Sequence, residues 1–242
     1  MVAAIAIIPA RGGSKGILKK NIALLAGKPL IAYSIEDSIN CPQIKRTLVS
    51  TDDPEIADVA RHYGAEVPFM RPSELAQDET PDLPVFSHAL EWLLTQENAL
   101  PDLVVHLRPT TPLRPSGAIE RGIQMILEDS QADCVRSISR STQIPHKMWQ
   151  IRGKYMKPFI QLGNEESYNM PRQKLPKVFS HDGVVDVIRV STILEKKTLT
   201  GSRVLPLRIE DSFFSVDIDE PIDLIMAEVF LKYNKAREKQ SS

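Results

Sequence analysis

Apolar residues along this chain recur with two periodicities, which alternate from one segment to the next. The first apolar run, Ile5-Ala6-Ile7-Ile8, is continuous and largely β-branched, as in a strand buried on both faces. The segment 83–94 instead spaces its apolar residues three and four positions apart, which predicts an amphipathic helix. By these criteria strands are predicted at 5–8, 46–50, 67–70, 102–107 and 133–138, and helices at 29–40, 56–63, 83–94 and 119–127.

This alternation of strand and helix predicts an α/β fold. Because right-handed crossovers join consecutive parallel strands, we expect a doubly wound, mostly parallel, Rossmann-like sheet. Ligands of such sheets bind at the carboxyl ends of the strands. The loops expected at that edge include the aperiodic segment 71–81 and the segment 108–115, whose three prolines make it rigid.

Residues 140–182 break the alternation and are predicted to form a small inserted lobe. Two short strands are expected there, at 147–151 and 158–160, with a turn at Arg152-Gly153. Trp149 and Phe159 suit a subunit interface if they are exposed; the alternative is that they pack on the parent sheet. The chain is thus divided into a core at 1–139, the lobe at 140–182 and the rest of the core at 183–242, with strands at 184–190 and 204–209, a helix at 222–231 and a frayed polar tail at 234–242.

A basic loop with three glycines follows the first strand. Its residues are Ala10, Arg11, Gly12, Gly13, Ser14, Lys15 and Gly16. Free backbone N–H groups and two cations at the end of a strand suit phosphate oxygens. The loop matches neither G-x-x-x-x-G-K-[ST] nor G-x-G-x-x-G, so an ordinary turn with surface charges is the alternative.

Two further charged residues follow predicted strands. Asp53 precedes Pro54 and is a plausible helix N-cap, which leaves Asp52 to face either a ligand or solvent. Arg71 is well placed for an anion, although it could equally form a surface ion pair.

Near the C-terminus, Asp217 and Asp219 flank one apolar residue. In an extended segment their side chains point to one face, which is a natural site for a divalent cation. The alternative for Asp219, or for Glu220, is that it caps the helix beginning at Pro221. That alternative does not explain Asp217.

Composition narrows the function classes. The chain has 242 residues and a net charge of −1, so it lacks the bulk basic field of a nucleic-acid binder. No apolar run approaches the length of a membrane span, and we expect neither nucleic acid nor membrane as a partner. The two cysteines, Cys41 and Cys134, lie far apart and are expected to be reduced and buried. The expected compartment is the cytoplasm.

Six short motifs occur in order along most of the chain. They are IPARGGSKG at 8–16 with Asn21, STD at 50–52, RPSELA at 71–76, RPTTPLR at 108–114, PRQKLP at 171–176 and DID at 217–219. Together they resemble the CMP-sialic acid synthetase (acylneuraminate cytidylyltransferase) family. The resemblance implies that the anomeric hydroxyl of a nonulosonic acid attacks the α-phosphorus of CTP and that pyrophosphate leaves.

The resemblance also implies roles for particular residues. Mg²⁺ would be held by Asp217 and Asp219. The resemblance does not identify the base for the sugar hydroxyl, and from the chemistry of the step we expect a metal-bound hydroxyl near Asp217. Arg11 and Lys15 would stabilise charge on the leaving pyrophosphate and, with Asp217, form the catalytic set. The nucleotide-binding residues implied are Ala10, Arg11, Gly12, Gly13, Ser14, Lys15, Asn21, Asp52 and Arg71.

The sugar acid would be contacted by Arg108, Lys147, Arg172 and Asp186. The lobe supplies two of these residues and pairs two subunits in the family, so a homodimer is implied. Where Arg108 and Asp186 stand, the sialic acid enzymes have Gln and an aromatic residue, and here the two could form a salt bridge. A relative of sialic acid is therefore as plausible a substrate as N-acetylneuraminic acid.

Three other functions remain open at this point. A nucleotide-sugar-dependent glycosyltransferase also uses an Asp-x-Asp metal site, although usually not so near the C-terminus. A nucleotidyltransferase could act on another sugar acid or on a sugar phosphate. A nucleotide-sensing scaffold would not need two carboxylates beside Lys15.

Overall fold

A computed structural model describes residues 3–163 and 166–241. Within those ranges the strands are β1 (Ala4–Pro9), β2 (Leu24–Leu25), β3 (Lys28–Pro29), β4 (Ile44–Ser50), β5 (Leu103–His106), β6 (Cys134–Arg140), β7 (Trp149–Arg152), β8 (Tyr155–Pro158), β9 (Phe179–Arg189) and β10 (Val204–Ile209). The helices are α1 (Leu30–Ile39), α2 (Pro54–His62), α3 (Asp82–Glu97), α4 (Ala118–Glu128), α5 (Val190–Leu194) and α6 (Pro221–Ser241).

Six strands form one sheet in the order β10-β6-β9-β5-β1-β4. β9 runs antiparallel to both of its neighbours, and the other pairs are parallel. The predicted α/β fold with a mostly parallel sheet is therefore confirmed. β9 reverses direction because the chain reaches it from the inserted lobe rather than through a crossover helix.

Both faces of the sheet are covered. Along β1, Ala6 and Ile8 belong to a core shared with α1, α2 and α4, whereas Ile5 and Ile7 belong to a second core under α3 and α5. Successive side chains of a strand point to opposite faces, so one continuous apolar run supplies both layers.

A third apolar cluster determines where the C-terminal segment lies. Leu25 and Leu30, near the N-terminus, pack with Leu113, Ile218 and Ala227 of α6. This cluster brings the segment 217–219 beside the loop that follows β1.

The lobe has its own two-stranded sheet, β7 with β8. Its turn contains Gly153, which has φ +63°, so the turn lies one residue later than predicted. β6 and β9 run across the predicted boundaries at 139/140 and 182/183, and the division into three parts stays a prediction.

Two predicted elements are wrong. Residues 67–70 form no strand; next to them only Glu66 makes a single bridge, to Leu48, and Pro68 lacks the N–H that would extend the ladder. The tail at 234–242 is not frayed as far as it is described, because α6 continues to Ser241, and Ser242 lies outside the described residues. Good helix formers such as Ala, Arg, Glu and Lys fill this stretch.

The expectation for the two cysteines is met. Both cysteines are free and buried. No helix in the described part of the chain is long and apolar enough to cross a membrane.

Candidate active site

A cleft of about 520 Å³ opens at the carboxyl ends of β1 and β5. Its walls come from the loops that follow these strands and from parts of the segment 71–85, and residues 219–220 lie on its rim. The predicted site residues that line it are Arg11, Ser14, Lys15, Asn21, Arg71, Arg108 and Asp219. The N-terminal loop and the C-terminal carboxylate thus meet in one place.

The glycine loop packs closely against its neighbours at two positions. A Cβ on Gly16 would collide with the carbonyl oxygen of Asp219, and one on Gly12 would lie 2.7 Å from a carboxylate oxygen of Asp53. Gly13 has open space around it instead. Gly16 therefore allows the loop to approach the C-terminal segment, because it has no side chain.

Two polar side chains hold the loop in shape. The buried Asn21 donates from Nδ2 to the carbonyl oxygen of Arg11 at 2.8 Å, and Asp52 accepts from the Gly12 N–H at 3.0 Å. Asp52 is not among the described residues that line the cleft, so it supports the loop from outside. Asp53 caps α2 as predicted, accepting from the N–H groups of Glu55 and Ile56.

The two loop cations share one internal carboxylate. Asp78 accepts from Arg11 Nη1 at 2.6 Å and also pairs with Lys15. These contacts hold the pKa of Asp78 below its usual value. Asp78 therefore occupies the place where an anionic ligand of the loop would bind.

A third cation faces the C-terminal carboxylate. Lys20 Nζ lies 2.7 Å from Asp219 Oδ1, and both residues line the cleft. Asp223 accepts from the N–H groups of Asp219 and Glu220, which leaves the Asp219 carboxylate turned towards the cleft.

Asp217 and Asp219 are both exposed, and Ile218 between them is buried. The backbone N–H of Ile218 donates to the carbonyl oxygen of Thr110 at 2.8 Å, which fastens this segment to the loop after β5. Carboxylate oxygens suit Mg²⁺, which needs only one or two of them beside substrate phosphates, so the donor set fits that ion. Asp219 lines the cleft, whereas Asp217 is not among the described residues that line it. No group of three or more potential metal ligands forms in the part of the chain that the structure describes.

Arg71 is a buried cation in the cleft wall rather than a rim residue. Its side chain donates to the carbonyl oxygen of Ser50 and, from Nε at 3.1 Å, to the Ser50 hydroxyl. Burial lowers its pKa to about 10, so the group stays charged at neutral pH.

Arg108 and Asp186 form the expected salt bridge. Arg108 Nη1 lies 3.5 Å from Asp186 Oδ2, and Nη2 lies 3.3 Å from Asp82 on the cleft wall. Asp186 is 0% exposed and lies behind Arg108, so Arg108 is the member of the pair that reaches the cleft.

Lys147 and Arg172 lie away from the cleft of their own chain. Lys147 Nζ donates to the carbonyl oxygen of Tyr168 within the lobe at 3.2 Å. Arg172 lines a separate depression with Arg140 and Lys177. The structure therefore does not bring these two predicted sugar contacts together with Arg108 in one subunit.

The cleft residues that the sequence analysis missed include Lys20, Asp78, Asp82 and His106. His106 carried a usable signal, since it is a polar residue at the carboxyl end of an apolar strand. Lys20 and Asp78 acquire their roles from partners that are distant in sequence.

Comparison with known proteins gives one consistent result. Residues 5–194 match a family model described as cytidylyltransferase. The chain is 32% identical over 233 residues to a CMP-N,N'-diacetyllegionaminic acid synthase of Legionella pneumophila, covering 96% of this chain and 97% of that protein. It is 30% identical to a pseudaminic acid cytidylyltransferase of Campylobacter jejuni, covering 94% of this chain and 96% of that protein. An N-acylneuraminate cytidylyltransferase of Escherichia coli is also 30% identical, and the match covers 97% of this chain but 53% of that longer protein.

Among solved structures, CMP:2-keto-3-deoxy-manno-octonic acid synthetase, determined with CTP, shares the fold. The TM-score is 0.71 at 15% identity, with 96% of this chain and 99% of the other covered. The resemblance proposed from the motifs is thereby confirmed: the chain belongs to the cytidylyltransferase family, among the relatives that make CMP-activated sialic-acid-like sugars.

Proposed function

We propose that this protein transfers CMP from CTP to the anomeric hydroxyl of a sialic-acid-like nonulosonic acid and releases pyrophosphate. The observation that carries the proposal is the cleft in which Arg11, Lys15 and Lys20 face the carboxylate of Asp219. Family membership supports the reaction class, and the relatives named above act on sugars of this type.

The cations of the glycine loop would bind the triphosphate. Phosphoryl transfer relies on positioning and on neutralising charge, so several cations on and beside a glycine loop suit the leaving pyrophosphate. Asp78 already pairs with both Arg11 and Lys15, and the β- and γ-phosphates would replace it. Binding is then an exchange of ion-pair partners within a pre-formed loop.

Asp219, with Asp217 beside it, would hold Mg²⁺. When bound, this ion neutralises phosphate charge and orients the transferred group. Lys20, which pairs with Asp219 here, would turn to the phosphates on binding. Arg71, a buried cation in the same wall, is expected to contact the nucleotide.

The sugar acid would bind between Arg108 of one subunit and the lobe of another. The lobe hairpin leaves large apolar side chains in solvent, and Ile151 is 79% exposed. Trp149, Tyr155, Met156 and Phe159 are also exposed on the lobe. Ile151 and Met156 are register partners and share one face of the hairpin with Trp149. Exposed apolar side chains of this kind are typical of a subunit interface, and we assign them to a contact with a second copy of this chain. That copy's Lys147 and Arg172 would complete the sugar site.

The test is pyrophosphate release with each of the four common NTPs against a panel of nonulosonic acids, sugar 1-phosphates and nucleotide sugars. Turnover with CTP and one nonulosonic acid is the expected result. Turnover only with a sugar phosphate, or transfer from a nucleotide sugar without pyrophosphate release, would contradict the proposal.

Two buried free thiols fit a reducing compartment, and we propose that the reaction takes place in the cytoplasm.

A further inference from the structure

A row of polar side chains crosses the central sheet directly behind the cleft. His106 on β5 is the register partner of Asp186 on β9, which is in turn the partner of Arg136 on β6. Two residues further from the cleft, the corresponding row is Val104, Ile188 and Cys134, and it is wholly apolar. The polar row is therefore a localised exception in a hydrophobic layer, at the strand ends where ligands bind.

Asp186 is the centre of this row. Arg136 donates to it from Nε at 3.0 Å and from Nη2 at 3.1 Å, and His181 Nε2 lies 3.3 Å away. Burial raises the pKa of Asp186, but the hydrogen bond from His181 and the charges around it outweigh burial and hold the pKa below its usual value. Burying a carboxylate costs folding free energy unless the group is paired in this way. The pairing therefore keeps Asp186 negatively charged at the centre of the row.

Arg108 links the row to the cleft. Its side chain is 22% exposed and lies between the buried Asp186 and Asp82 of the cleft wall. Its backbone is fixed as well, because its carbonyl oxygen accepts from the Ser34 hydroxyl at 2.9 Å. A guanidinium held from two sides loses little conformational freedom when it binds a further oxygen.

His106 adds a second polar group at the same place. It lines the cleft and is 1% exposed, and neither ring nitrogen has a hydrogen-bond partner among the described residues. Its ring packs against Phe86 with centroids 4.6 Å apart. Its Nδ1 lies 4.0 Å from Asp186 Oδ2, which is too far for a hydrogen bond. Buried polar atoms nearly always have hydrogen-bond partners, so an imidazole without one at a cleft indicates a ligand atom or a bound water there.

We infer that Asp186 is a positioning residue that fixes Arg108, beside His106, as a hydrogen-bonding element for an acceptor oxygen of the sugar acid. The inference rests on the proposed function and deepens it. Asp186 does not touch the substrate itself, because it lies behind Arg108 and is not among the described residues that line the cleft, whereas His106 is. The acceptor can be a carboxylate or an acyl carbonyl oxygen, since a guanidinium binds either.

The test is a steady-state double-mutant cycle on Arg108→Gln and Asp186→Asn, with the KM values for CTP and for the sugar acid measured separately. Each single variant is expected to raise the KM of the sugar acid about tenfold and to change that of CTP less than about twofold. Asp186→Asn should add almost nothing in the Arg108→Gln background, because its effect passes through Arg108. Arg108→Lys, which keeps the charge but not the fork, should recover only part of the loss. Substrate analogues that lack either the carboxylate or the acyl group then show which oxygen Arg108 binds. The wild-type protein should have a higher KM for the analogue without that oxygen, and Arg108→Gln should no longer distinguish this analogue from the full substrate.

Stability is monitored by thermal melting and by CTP binding. If Asp186→Asn does not fold, the test rests on Arg108→Gln and Arg108→Lys, which are expected to fold because Arg108 is partly exposed. An unchanged KM for the sugar acid in both of these variants overturns the inference. Additive effects in the cycle, or a change in the KM of CTP alone, also overturn it. If the wild-type protein shows no turnover with CTP and any nonulosonic acid, the proposed function itself fails and the inference falls with it.

Discussion

The residues proposed to bind the nucleotide and those proposed to bind the sugar acid, here called the nucleotide side and the sugar side, differ in how many of them meet within a single chain. Arg11, Lys15, Lys20 and Asp219 converge in one cleft and are already paired with each other or with Asp78. On the sugar side, Arg108 reaches that cleft, but Arg172 lies on the lobe in another depression. If the proposed roles hold, one chain has a pre-formed nucleotide site and only part of the sugar site.

The difference follows from how each region is built. The glycine loop follows β1, a buried strand paired on both sides, with β5 and β4, and the third apolar cluster fixes the C-terminal segment against the loop. The lobe has only a two-stranded sheet and exposes its apolar side chains. A two-stranded hairpin is only marginally stable by itself, and burying its apolar side chains against a partner would stabilise it. The comparison suggests that nucleotide binding depends on the subunit and sugar binding on the assembly.

The largest effect is expected at the carboxylate that closes the nucleotide side. Asp219→Asn should lower kcat on the order of 1,000-fold, because the group facing Lys20 and the phosphates loses its charge. Asp217→Asn is the matched comparison and should cost less, since Asp217 lies outside the described cleft lining. Rates measured over a magnesium titration check this, and an equal loss in both variants would show that the cleft does not distinguish them.

The next largest effect is expected from a substitution on the lobe hairpin, which should impair binding of the sugar acid and leave CTP binding intact. Ile151→Glu on the exposed hairpin should produce monomers and lower turnover about 100-fold, while CTP still binds within about threefold of wild type. Sedimentation and calorimetric titration with CTP measure the two properties. Arg61→Glu, a charge change on the exposed face of α2, is the control, and a turnover loss without dissociation in Ile151→Glu would contradict the assignment.

A smaller effect is expected from the internal anion of the loop. Asp78→Asn should lower the KM for CTP about fivefold, because the triphosphate no longer has to displace a carboxylate from Arg11 and Lys15. Glu79→Gln, the adjacent carboxylate, should leave that KM unchanged. A higher KM in Asp78→Asn would mean that Asp78 assists binding instead of competing with it.

Much of this arrangement could be predicted from local sequence. β10 lies at its predicted bounds, Asp53 caps α2 as expected, and the basic glycine loop indicated the cleft. These features depend on neighbouring residues, so periodicity and capping chemistry are enough to find them.

The remaining features depend on contacts between distant residues. Lys20 meets Asp219 across 199 positions, and Asp78 meets Arg11 across 67, so neither pair could be deduced from spacing. The residues 67–70 have the composition of a strand, yet the pairing with β4 stops at Glu66, because Pro68 has no N–H to donate to the ladder. The family resemblance implied that Asp186 contacts the sugar directly, and only the packing shows it buried behind Arg108.

The most direct test of the account is a heterodimer of two inactive variants. Lys15→Gln removes a cation of the cleft, Arg172→Ala removes the contact from the lobe, and each homodimer should be inactive. If the lobe of one subunit serves the cleft of the other, a heterodimer purified through two different tags has one intact site out of two and should regain about half of the wild-type activity. A heterodimer no more active than its parents, or an Arg172→Ala homodimer with full activity, would contradict the claim that the sugar site is completed across the interface.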